Sequence, residues 1–340
     1  MRSLPIVKTG RETSSALSPV LTIGGLQMAQ DTYHVPVFET EIVDLLAGQP
    51  AGVIVDATVG GGGHADLILR AAPQLRILGI DRDPDARATA LARLSPYGDR
   101  FRVADATFAD LASVLATHAD FVGNSPVVGV LMDLGVSSHQ LDDATRGFSF
   151  RADAPLDMRM DPTRGETAAQ YLARVDVHEF VRVLRLNGEQ RFAGAIARTV
   201  LDAQPQTTDE LAAAVERAVP AAARRRGHVA TRVFQALRVE VNGEDEQLAR
   251  GLEAALDALS IGGLLVVVSY HSGEDRAVKA YFHEAATGGC RCPVELGCVC
   301  GAVPRASVAR ASATLATALE IARNPRSRSA RLRVAKKVAP

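Results

Sequence analysis

Four short runs in the first half of the chain, "GVIVDATV", "RILGIDRD", "RFRVADAT" and "VVGVLMDLG", concentrate Val, Ile and Leu and read as buried strands. Between the first three lie "HADLILRAA" and "PDARATALARL", whose apolar residues recur at helical spacing. Strand and helix in alternation predict an α/β fold with a parallel, doubly wound sheet. Ligands on such sheets bind beyond the carboxyl ends of the strands. The residues closing each run are therefore candidates: Gly60 to His64, Asp81 to Asp83, Asp105 to Phe108 and Asp133 to Gln140, converging on one crevice.

From about Asp142 the pattern turns helical without convincing strands, through "ETAAQYLARV", "VHEFVRVLRL", "EQRFAGAIARTVLDA" and "TTDELAAAVERAV". The last of these opens with a capping box, Thr207 to Glu210. Helices continue until "GGLLVVVSY" returns to an apolar strand. This order predicts a helical domain, 142–228, inserted between two parts of a sheet domain, 30–141 and 229–340. Residues 1–29 read as a flexible leader, or as an overlong start with Met28 the true beginning. Near the end, "RSRSARLRVAKKV" alternates Ala330, Leu332 and Val334 with Arg331 and Arg333, which suits an edge strand with one buried and one basic face.

Composition narrows the class. With 340 residues, 47% of them hydrophobic, the chain can bury one or two substantial cores. No apolar run approaches the roughly 18 residues that span a bilayer. The leader is broken by Ser, Pro and Gly, which is poor for an export signal, so a cytoplasmic location is expected. The net charge of −1 hides an asymmetry: from Arg305 onward there are nine Lys or Arg and one acid, leaving 29 bases against 38 acids before it. A basic tail on an acidic body suggests contact with a polyanion, the alternative being a solvated arm.

The stretch "VDATVGGGGHADLIL" breaks a strand on four glycines and resumes as a helix. Gly60, Gly62 and Ala65 satisfy G-x-G-x-x-G/A, a turn that serves dinucleotide and S-adenosylmethionine sites alike. In either class an acid ending the second strand binds ribose hydroxyls, and Asp81 fits that role, while Asp83 is better placed to cap the following helix. A nicotinamide enzyme would also need a hydride site with a proton donor. The third and fourth strands end instead in "ADATF" and "MDLGVSS".

Those stretches, together with "HVPV", "GIDRDP", "LMDLGVSSHQLDDATRGFSF", "PLDMRMDP", "GEQRFAGAIA", "ATRVFQALRVEVN", "SYHSGEDR" and "NPRSRSARLR", resemble the bacterial 16S ribosomal RNA cytosine-N4-methyltransferase family (RsmH, also called MraW). The likeness runs in order from about His34 to Arg333. It implies a class I S-adenosylmethionine-dependent, Rossmann-like methyltransferase sheet with an inserted helical substrate-recognition domain. It also implies methylation of the exocyclic N4 of cytidine 1402 in 16S rRNA, in the 30S subunit or an assembly intermediate. The chain departs from the usual pattern at Tyr270, where Phe is usual, at Gly273, where Leu is usual, and in "VNGEDEQL".

By this resemblance Gly62, Gly63 and His64 form the cofactor turn, Phe108 flanks the adenine, Asp133 lies near the methionine end and Gln140 closes the pocket. Methyl transfer to N4 needs the amine pyramidalised and held in line with the carbon–sulfur bond, so positioning and electrostatics supply most of the rate. Asp133 is the first candidate to accept an N4 hydrogen bond. Tyr270 and His271 follow the last long strand onto the same rim, where an aromatic can stack on an extruded base. The alternative is that Tyr270 is core and His271 caps the helix beginning near Glu274. Asp157 and Arg159, with Asp161, are candidates to grip the cytidine or its phosphate, or pair with one another. Arg326 and Arg328, and the loop Arg224 to Arg226 with His228, are candidates for phosphate contact.

All four cysteines fall in "CRCPVELGCVC". Cys290, Cys292, Cys298 and Cys300 form two C-x-C pairs that could hold one structural zinc; free thiols in a loop are the alternative. Two rival functions remain at this point, an NAD-dependent oxidoreductase and a non-catalytic ribosome-assembly factor. Oligomeric state is left open, a homodimer included.

Overall fold

The computed structural model describes residues 36–221, 229–293, 298–309 and 312–339. The leader 1–29 and the basic loop Arg224 to Arg226 with His228 lie outside the described residues. The expected strands form: β1 (Gly52–Asp56), β2 (Leu75–Asp81), β3 (Phe101–Asp105), β4 (Val127–Asp133) and β5 (Leu264–Ser269), all parallel. Short β6 (Ala306–Ser307) and β7 (Thr314–Leu315) precede β8 (Arg331–Lys337). The order across the sheet is β3-β2-β1-β4-β5-β8-β6, with β7 also paired to β8. This is a doubly wound, Rossmann-like sheet, as expected, reversed in direction only at its C-terminal strand β8.

β1 is buried at every position and β4 at all but its last, because helices cover both faces. One face packs Val53, Val55, Val130 and Val267 against Leu248, Leu252 and Leu256 of the helix Glu244–Ala258. The other packs Ile54, Leu131 and Val266 against Ile42, Leu46, Ile68 and Leu69. Each of the first four strands ends in an acid: Asp56, Asp81, Asp105 and Asp133.

β8 corrects the expectation of an edge strand. It is antiparallel to β5 along Arg331 to Lys336, and its other side carries β6 and β7. Ala330 and Leu332 are buried as expected, but Val334 is only half-buried, and on the other face Ala335 and Arg333 are buried too, Arg333 with its Nε 2.8 Å from Asp275 Oδ1. The alternating pattern marked two faces; it could not show that the basic face is covered by the helix Ser272–Thr287, which brings Asp275 to it.

Between β4 and β5 the helices Ala168–Arg174, Val177–Leu186, Ala193–Ala203 and Thr208–Ala218 build a third core around Phe180, Ile196, Val200 and Leu211. Thr207 makes the expected capping box with Glu210. This core reaches past residue 228, since Val233, Phe234 and Leu237 of the helix Val229–Asn242 are buried in it.

Asn242, at the end of that helix, ties the helical body to the loop "LDMRMD". Its Oδ1 accepts from Met160 N at 2.8 Å, and its Nδ2 donates to Met158 O at 2.8 Å and to Arg238 O at 2.9 Å. Met158 itself holds a left-handed φ of 63°, which a buried methionine adopts only under such constraint. Asn242→Ala should lower the unfolding free energy by about 1–3 kcal/mol, the cost of leaving buried backbone groups unpaired, as measured by urea denaturation. An unchanged midpoint would show that water replaces the amide.

Candidate active site

The glycine turn is built around Asp81. After β1 the chain passes Gly60, at φ 51°, and Gly62, at φ 78°, before the helix Gly63–Ala71 begins. A Cβ at Gly62 would stand 3.0 Å from Leu94 Cδ1, so glycine is required for both its backbone angle and the space. Gly60 N donates to Asp81 Oδ2 and Asp83 N to Asp81 Oδ1, each at 2.9 Å. Burial pushes the Asp81 carboxyl up to about 6, against the pull of these two N–H groups. The turn and the end of β2 are thereby fixed to each other across a cavity of about 580 Å³, within the usual size of cofactor sites.

Asp133 stands at the end of β4 in the same cavity. Its backbone N–H donates to Thr58 Oγ1 at 2.6 Å, and its Oδ1 accepts from the Tyr270 hydroxyl at 2.8 Å. His64 Nε2 lies 2.9 Å from Val37 O and must carry the hydrogen there, so Nδ1 faces Asp133 Oδ2 at 3.8 Å. Burial raises the Asp133 carboxyl, while His64 and the Tyr270 hydrogen bond lower it. Burial and the adjoining Asp133 carboxylate hold the Tyr270 phenol well above its ordinary range, so it remains a proton donor. Behind this group, Asp56 is buried, its carboxyl pushed up to about 7 by desolvation against the pull of His64 and the Thr58 N–H.

Most of the candidates meet here. Gly63, His64, Asp81, Phe108, Asp133, Gln140, Tyr270, His271 and Arg326 line the cavity, with Gly62 underlying the turn. Several candidates have local partners that bear on their expected roles, and for Tyr270, His271 and the Asp157–Arg159 pair they match the alternative reading. The Gln140 amide is already engaged, its Nε2 donating to Asp83 Oδ2 at 2.7 Å and its Oε1 accepting from Ser137 N at 3.0 Å, so it braces the rim. His271 is the N-cap of the helix Ser272–Thr287: Nδ1 accepts from Gly273 N and Glu274 N, and Nε2 sits 2.9 Å from Glu274 Oε1. Tyr270 is packed largely into the core and reaches the cavity through its hydroxyl rather than a free ring face. Asp157 and Arg159 pair with each other at 2.7 and 2.8 Å and do not line the cavity. Arg326 is bound to Asp142 on the rim, and Arg328 is exposed outside the lining.

Three contributors escaped the sequence reading. Asp56 ends β1 as visibly as Asp133 ends β4, but its strand position gave no hint of its depth. Arg146, in "DDATRGFSF", is buried with Nη1 3.0 Å from Asp83 Oδ2, and its Nη2 donates to Met160 O at 2.8 Å. Phe150 lines the cavity from the helical body while 40% exposed, its ring meeting Phe234 edge-on with centroids 5.0 Å apart.

The family model described as the MraW methylase family matches residues 31–338. The chain belongs to the MraW methylase family. Among its curated relatives is the ribosomal RNA small subunit methyltransferase H of Geobacter sulfurreducens, 46% identical over 312 residues that cover 90% of this chain and 99% of the relative. Another is the protein of the same name from Symbiobacterium thermophilum, 45% identical over 313 residues covering 90% and 97%. Membership makes the cavity that of a methyltransferase, and neither the oxidoreductase nor the non-catalytic reading finds support.

The buried acids give this MraW-family site a pH signature. A carboxyl whose folded value exceeds its unfolded one binds its proton more tightly in the native state, so stability falls as pH rises between the two values. For Asp56 that window runs from the ordinary carboxyl value of 3.8 to about 7. Relative to Asp56→Asn, the wild-type melting temperature should fall as pH is raised from about 4 to about 7 and level off above. Parallel profiles for the two proteins would remove the buried acid from the account.

Proposed function

We propose that this chain transfers the methyl group of S-adenosylmethionine to the exocyclic N4 of cytidine 1402 in 16S rRNA, in the cytoplasm, on the 30S subunit or an assembly intermediate. The observation that carries the reading is the Asp133 carboxyl held at the cavity wall between the Tyr270 hydroxyl and the His64 ring. The residues present fit the cofactor: a glycine turn that admits close approach, Asp81 at the second strand end for ribose hydroxyls, and Phe108 on the wall for a base. When bound, the cofactor supplies an electrophilic methyl on a sulfonium.

Asp133 accepts a hydrogen bond from the cytosine amine and draws its lone pair out of conjugation with the ring. Tyr270 fixes Oδ1, so the other oxygen, Oδ2, is the one turned to the amine and to His64. The N4 proton becomes acidic only once the new bond has formed, and Oδ2 is the nearest base to take it. His64 Nδ1, 3.8 Å away, is the next acceptor along that path. Phe150, rather than Tyr270, offers the ring face on which the extruded cytosine stacks. In this reading exposed Arg328, and Arg326 once it exchanges Asp142 for RNA, bind phosphate, and contacts of that kind position RNA without reading it.

Purified protein incubated with labelled S-adenosylmethionine and 30S subunits should label one nucleotide, cytidine 1402 at N4, when the RNA is mapped. Asp133→Ala should reduce the transfer rate about 100- to 1000-fold, as for removal of a preorganised electrostatic group, with cofactor affinity by calorimetry changed far less. Near-normal turnover in that variant would remove Asp133 from the mechanism.

Phe150→Ala should weaken the hold on RNA by about 1–3 kcal/mol, the worth of one stacked base, while cofactor affinity stays unchanged. Equal RNA affinity in filter binding would send the stacking role elsewhere.

A further inference from the structure

The segment 290–300 leaves the body at a pinched neck. The helix Ser272–Thr287 ends on Gly288 at φ 62°, where a Cβ would stand 2.6–2.7 Å from the backbone of Val303. Two residues further, Arg305 N donates to Ala285 O at 2.8 Å, and the Arg305 guanidinium is bound by Glu253, 2.6 Å away, and by Asp257. Both ends of the segment are thus anchored. Among its described residues, Cys298 and Cys300 are exposed and Val299 is 86% exposed.

What the segment does possess is sulfur. Cys290 Sγ lies 3.4 Å from Cys298 Sγ and 3.6 Å from Cys300 Sγ, Cys298 and Cys300 are 3.5 Å apart, and all four sulfurs, Cys292 included, fall within 4.8 Å of one another. A disulfide would need about 2.05 Å, and the four are free. A tetrahedral ion with bonds of about 2.3 Å to sulfur sets its ligands roughly 3.8 Å apart, close to the spacing found. An iron–sulfur cluster would spread the same ligands over several irons, wider than this set. The Cys292 N–H also points at Cys290 Sγ at 3.4 Å, the kind of backbone contact that steadies a metal-bound thiolate.

The geometry points to a structural zinc site formed by Cys290, Cys292, Cys298 and Cys300, a single ion that closes the loop between the helix Ser272–Thr287 and β6. Four thiolates leave no open coordination position, so the ion does no chemistry on a substrate. None of the four lines the methyltransferase cavity. The site orders the segment that leads into β6 and holds it against the neck at Gly288 and Val303.

The test uses the full chain, purified under reducing conditions without chelator. Elemental analysis should find about one zinc per chain, and replacement by cobalt should give the intense visible bands of a tetrahedral thiolate site. In the double variant Cys298→Ser, Cys300→Ser the zinc should disappear, and limited proteolysis within 288–305 should accelerate about tenfold. S-adenosylmethionine affinity should match the wild type, which separates this outcome from any failure of the methyltransferase reading. Four freely titrating thiols with no bound metal, two disulfides by mass, or iron in place of zinc would each overturn the assignment.

Discussion

One buried carboxylate holds the methyltransferase crevice to the helical body. Asp83 is almost wholly excluded from solvent, yet it caps the helix Pro84–Leu94 through Asp85 N, accepts the Gln140 amide and faces the Arg146 guanidinium. A buried charge left without such partners would cost several kcal/mol, so the three contacts stand or fall together. Arg146 passes the constraint on, donating to the carbonyls of Arg159 and Met160. The loop "LDMRMD" is in turn pinned by Asn242 at the end of the helix Val229–Asn242. From the end of β2 to the helical body there is a continuous run of charge-assisted and backbone bonds, and the cavity is the space it encloses.

That arrangement explains which features were legible in the sequence. The strand ends were, because a parallel sheet buries its strands on both faces and puts chemistry where the apolar runs stop; Asp81 and Asp133 are found at those stops. Arg146 was not, since an arginine between polar residues looks solvated until a carboxylate from 63 positions earlier is brought to it. Asp157 and Arg159 carried opposite charges two residues apart, which fits a substrate grip and a mutual pair equally well, and the backbone decided for the pair. The aromatic wall shows the same limit: Phe150 closes "GFSF" and Tyr270 closes "LLVVVSY", and only packing distinguishes the exposed ring from the one that offers its hydroxyl.

The acids around His64 suit a cationic ligand. Asp133 borders the cavity and Asp56 lies behind it, both raised by burial and both drawn down by the same imidazole. A positively charged ligand arriving there favours their ionised forms and offsets the cost of burying negative charge. A site built this way disfavours ligands that present phosphates at the same spot.

The position of β8 bears on how the molecule is made. β5 runs with one side on β4 and the other on β8, a strand that follows it well downstream in the chain. Until residues 331–337 leave the ribosome, β5 exposes an unpaired edge of "LLVVVS", an apolar template open to other chains. The same late segment delivers Arg333 to Asp275, and Glu320, just upstream, accepts the backbone N–H of Phe38, 282 positions earlier in the sequence. Sheet closure therefore waits on a segment distant in sequence from β5, and a chain truncated shortly before β8 becomes an aggregation hazard rather than a smaller enzyme.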